Sequence, residues 1–84
     1  MNILNPERGD TIKFWFISEW TGANCIGTGK VIGKGKEVRE KYPVEMALAP
    51  ENYSLVERDV NGVKTLHVVA PIDVDEIIKK GDEQ

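Results

Sequence analysis

Asp10-Thr11-Ile12-Lys13-Phe14-Trp15-Phe16-Ile17 holds both phenylalanines and one of the two tryptophans of an 84-residue chain. Strict alternation sets Ile12, Phe14 and Phe16 on one face and Lys13, Trp15 and Ile17 on the other. That is the pattern of a half-buried strand with its phenylalanine face inward. Trp15 then points away from the core, beside a lysine. A tryptophan side chain covers about 200 Å², so leaving it in water forgoes up to ~5 kcal/mol at about 25 cal/mol per Å². Trp15 therefore calls for a cover: a loop, a second sheet or a partner.

Outward from this strand, the chain reads as one small β domain over residues 1–84. Asn5-Pro6-Glu7-Arg8-Gly9 is a turn ahead of the strand, after the short apolar lead Met1–Leu4. Arg8-Gly9-Asp10 matches the cell-adhesion tripeptide, but without a secretion signal it reads as a turn whose glycine sets the strand entry. Ser18 to Asn24 is a loop carrying Trp20, either an exposed recognition aromatic or a lid folded over the open end of a barrel.

Ile26 to Gly35 carries glycines at 27, 29, 33 and 35. The dinucleotide spacing fails at Ile32, the phosphate-loop spacing fails as well, and no long helix follows. Glycines in such a segment mark bulges and sharp coiling, so a strongly bent second strand is expected. Gly9-Asp10-Thr11-Ile12-Lys13-Phe14 followed by Gly27-Thr28-Gly29-Lys30-Val31-Ile32 resembles the opening hairpin of SH3-like small barrels of the KOW and Tudor kind. The resemblance implies a small barrel and no particular activity.

Tyr42, Val44, Met46 and Leu48 alternate as a third strand. Asn61-Gly62 between apolar alternations predicts a two-residue type I′ hairpin pairing Val60 with Val63, Asp59 with Lys64, Glu57 with Leu66 and Leu55 with Val68. Tyr53, Leu55, Leu66, Val68 and Ala70 then share the core face. Val56, Val60, Val63, His67 and Val69 share the other, and a second copy of the chain meeting the Val56/Val63/Val69 face is one cover for it. At the C-terminus, Asp73 and Glu76 form a capping pattern, Val74, Ile77 and Ile78 fall at helical spacing, and Gly81 ends the run. A short C-terminal helix is expected there, with residues 82–84 frayed. The fold class is thus mainly β: an SH3-like barrel of about five antiparallel strands with a short C-terminal helix.

Net charge is −3, which argues against a general nucleic-acid binder. The charge is uneven: Met1–Tyr42 has seven basic and five acidic residues (net +2), and Pro43–Gln84 has four and nine (net −5). Lys30, Lys34, Lys36, Arg39 and Lys41 form the single basic segment, interleaved with Glu37 and Glu40. One cysteine, Cys25, allows no internal disulfide and no cysteine-rich zinc site, and no metal or cofactor motif is present. His67, the only histidine, has valine neighbours and reads as structural. A Cys25–His67 nucleophile pair lacks any evident third residue to orient it. With no leader or membrane-spanning run, a cytoplasmic protein is expected.

These features favour a non-enzymatic protein-interaction or assembly module of a bacterium or phage, with Trp15, Trp20, Ile17 and Lys13 as its contact surface. The alternative is a nucleic-acid module using Lys30, Lys34, Lys36, Arg39 and Lys41.

Overall fold

The alternation at Thr11–Ile17 forms strand β1 (Thr11–Ile17) of a five-stranded antiparallel sheet. In the computed structural model, which describes residues 4–18 and 20–81, the other strands are β2 (Asn24–Lys34), β3 (Ser54–Val60), β4 (Val63–Val69) and β5 (Val74–Lys79). They run in the order β4-β3-β2-β1-β5. The sheet is not closed into a barrel: β4 and β5 are its two edges, and no ladder joins them. A five-residue helix, α1 (Gly35–Arg39), follows β2.

Ile12 and Phe14 are fully buried, joined by Val31, Val56, Val69 and Val74, as the alternation requires. The glycine-rich strand β2 bends as expected. Its first part pairs with β1 and its last part with β3, only Lys30 being registered with both, and a bulge at Ile32 separates Val31 from Gly33. Coiling of the sheet brings β4 over β1, where the His67 ring lies 5.4 Å from Phe14 and 4.9 Å from Phe16, centroid to centroid. The Asn61-Gly62 hairpin has the expected register at all four pairs. Asn61 and Gly62 adopt φ of 54° and 85°, the left-handed pair that a type I′ turn demands.

Three expectations are corrected. Val74 to Lys79 is a strand and not a helix, entered through a 3-10 turn over Pro71–Asp73. Val74 sits opposite Phe14 and Ile77 opposite Ile12, both turned to the core although three residues apart. A bulge between them adds the extra residue, so a bulged strand carries the spacing that elsewhere marks a helix. Val, Ile and Ile also suit a strand better than a helix, and β1 gains a partner for its second edge.

Tyr42 to Leu48 is a chain of turns and not a strand. The Tyr42 N–H donates to the Val38 carbonyl at 2.8 Å and the Met46 N–H to the Tyr42 carbonyl at 3.0 Å. Val38, Tyr42 and Met46 therefore recur every fourth residue on one side, and Val44 and Leu48 are left in solvent. Pro43 lacks the donor that a regular helix would use there.

The Val56/Val63/Val69 face is not a free surface. Val56 and Val69 are in the main core, and only Val63 is exposed. Leu55 is buried too, on the opposite side of β3, in a second cluster with Val38 and Met46. Helix α1 and the turns after it thus cover the Leu55 side of the sheet, while Val56 and Val69 are covered by the sheet's own Ile12, Phe14, Val31 and Val74.

Asp10 fastens the two flanks. Its buried carboxylate accepts the Glu7 N–H at 2.9 Å, the Gly81 N–H at 2.7 Å and the Lys80 ammonium at 3.0 Å. Burial by itself raises the Asp10 pKa, but the hydrogen bonds from Glu7, Gly81 and Lys80 outweigh it and hold the carboxyl below its ordinary range. Arg8-Gly9-Asp10 consequently offers no free aspartate for adhesion. The fraying expected at 82–84, and most of the apolar lead Met1–Leu4, lie outside the described residues.

Candidate functional site: a groove between the hairpin tips

The β1–β2 connection and the Asn61-Gly62 turn flank an open groove of about 680 Å³, within the size range of ligand pockets. Phe16, Ile17, Trp20 and Cys25 line one side, and Arg58, Val60, Thr65 and His67 the other. The connection is ordered by its own side chains. Ser18 Oγ accepts the N–H of Trp20 at 3.2 Å and of Thr21 at 3.4 Å. The Ser18 N–H donates to the Ala23 carbonyl and the Gly22 N–H to the Ser18 carbonyl, both at 2.9 Å, with Gly22 at a φ of 74°. Trp20 is therefore held on a built turn while 95% exposed. That excludes the lid reading and leaves the exposed aromatic.

Arg58 occupies the inward row of β3 between Val56 and Val60. Its guanidinium carbon lies 4.5 Å from the Phe16 ring centroid, a cation–π stack on a half-buried arginine. Gly27 makes the stack possible. A Cβ there would come within 2.9 Å of Phe16 Cε1 and 3.2 Å of Arg58 Cδ and Nε. Among the described residues no carboxylate pairs with Arg58. The nearby acids are engaged by Lys64, which stands 3.6 Å from Glu57 and 4.0 Å from Asp59, and Asp59 also accepts the Gly62 N–H at 2.8 Å.

Of the four residues expected to make contacts, the structure brings Ile17 and Trp20 to the groove. Trp15 lies on the reverse face, opposite Ile26, and the two are 45% and 46% exposed. Lys13, on that face, pairs with Glu76 at 3.5 Å. Arg58, Phe16 and His67 were not among the expected site residues. The signal for Arg58 was present, since positions 56, 58 and 60 share a face on which a charge is out of place.

Cys25 and His67 both line the groove. The Cys25 thiol donates to the Ala23 carbonyl at 3.7 Å, and the imidazole packs against Phe14 and Phe16. Among the described residues no cluster of three or more His, Cys, Asp or Glu side chains forms.

The basic segment is spread over three elements. Lys30 and Lys34 are on β2, Lys36 and Arg39 on α1, and Lys41 in the following turn. Arg39 serves the fold: it donates to the Ala49 carbonyl at 2.7 Å and to Glu51 at 3.3 Å. Glu51 in turn accepts the Lys36 N–H at 3.2 Å, and Glu37 meets Arg8 at 3.6 Å. Acids are thus interleaved with the cations in space as well as in sequence.

No protein-family model, curated protein or solved structure matches this chain. Among the described residues, no helix is long and apolar enough to cross a membrane.

Proposed function

We propose that the protein is a non-enzymatic, cytoplasmic binding module that takes a segment of a partner protein into the groove beneath Trp20. The observation that carries this reading is Trp20 itself: a large aromatic held in solvent by an ordered turn, at the mouth of a groove lined with Phe16 and Ile17. Interfaces concentrate their energy in such residues, and a rigid anchor loses little entropy on binding. The lone cysteine suits a reducing compartment.

The test is capture of partners from a lysate of the source organism, with and without nuclease, by the intact protein and by Trp20→Ala. A nuclease-resistant partner that Trp20→Ala fails to hold, at unchanged melting temperature, supports the reading. Nuclease-sensitive capture that survives Trp20→Ala and disappears when Lys34, Lys36 and Lys41 are changed to Glu replaces it with nucleic-acid binding.

A further inference from the structure

We infer that the groove recognises a carboxylate next to a large apolar side chain of the partner segment, with Arg58 holding the carboxylate and Trp20 covering the apolar group. This rests on the groove being the binding site. Three observations carry it. First, among the described residues that line the groove Arg58 is the only acidic or basic side chain apart from the titratable His67, so a positive charge stands at the groove wall. Second, the guanidinium has no ion-pair partner among the described residues: Glu57 and Asp59 alternate to the other face of β3, where Lys64 pairs with them. Third, the position is built: the absence of a side chain at Gly27 lets Arg58 lie on the Phe16 ring, which restrains it and shields one face. A guanidinium restrained in this way has less freedom to lose when its N–H fork meets a carboxylate, the anion whose geometry it matches. Cationic and purely apolar segments gain nothing from it. On a chain of net charge −3 this cation is a local feature, so the selectivity belongs to the groove.

The probes are N-acetyl-phenylalanine, which carries the carboxylate, and N-acetyl-phenylalaninamide, which does not. Each is titrated into the intact ¹⁵N-labelled protein and followed by amide shifts at Cys25, Arg58 and Thr65. The carboxylate is expected to bind at least about fivefold tighter than the amide, with the advantage shrinking at high salt. Arg58→Gln is expected to abolish the difference between the two probes, with the dispersed spectrum showing that the fold is kept. Equal binding of the two probes, or a preference that persists in Arg58→Gln, overturns the inference while leaving a groove that binds neutral ligands. Absence of shifts with either probe also overturns it, and capture by Trp20→Ala then judges the binding-module reading separately. Glu19 lies outside the described residues, so the titration is repeated in Glu19→Gln. A carboxylate preference seen only there would mean that an acid of the chain itself holds Arg58, and would likewise overturn it.

Discussion

The guanidinium of Arg58 rests on the ring of Phe16 because residue 27, between them, has no side chain. A Cβ at Gly27 would meet the Phe16 ring edge at 2.9 Å and Arg58 at 3.2 Å. At Gly29 it would meet Val56 Cγ1 at 2.6 Å and the Glu57 carbonyl oxygen at 2.7 Å. The first obstacles are side-chain ends that can swing away. The second includes backbone, which cannot.

Gly29→Ala should therefore cost more than Gly27→Ala, about 2–3 kcal/mol against about 1 kcal/mol. Denaturant unfolding of the two variants measures both. Gly27→Ala should also displace Arg58 and reduce any affinity of the groove for carboxylates.

Asp10→Ala should destabilise by about 2–3 kcal/mol, because the Gly81 and Glu7 N–H groups and the Lys80 ammonium lose their shared acceptor. The Asp10 pKa is lowered by folding, so its contribution is fully present above the unfolded value of about 3.9 and is lost as pH falls through the folded value. Unfolding curves across the acid range should show this loss in the native chain and a smaller one in Asp10→Ala.

Trp20→Ala should leave stability within about 0.5 kcal/mol, since nearly all of the side chain is already in water. Trp15→Ala should cost about 1–2 kcal/mol, in keeping with its half burial against Ile26. Thermal melts compare them, and acrylamide should quench the fluorescence of Trp20 more strongly than that of Trp15.

Met46→Ala should cost about 2–5 kcal/mol, while Leu48→Ala stays within about 0.5 kcal/mol. Met46, within the turns after α1, is fully buried, and Leu48 is 97% exposed two residues away. A strand with Met46 and Leu48 on one face would make the two variants equally damaging.

Local chemistry made parts of this fold legible. Asn61-Gly62 dictates its own φ angles, and the Ile12/Phe14 alternation has one sensible inward face. Longer-range competition decided the rest. Val74 and Ile77 keep a helical spacing because a bulge in their ladder with β1 inserts a residue, and a bulge depends on the partner strand. Tyr42 and Met46 fit a period of two and a period of four equally well, and only Val38 ahead of them breaks the tie. The groove was half visible. Trp20 and Ile17 stood out by type, whereas Arg58 gains its meaning from Phe16 and Gly27, far away in sequence.

The place of β1 between β2 and the late-arriving β5 has a consequence for how the chain acquires this structure. Two hairpins, β1–β2 and β3–β4, close over short distances and can form early. The ladder between β1 and β5 joins Thr11 to Lys79 and must wait for a much longer loop to close. Until then β1 presents a bare row of amides and carbonyls, and Trp15 and Ile17 flank it in solvent. That is a template for pairing between molecules. Recovery of the native protein from denaturant should accordingly fall as its concentration rises, through a competition in time that equilibrium stability does not reveal.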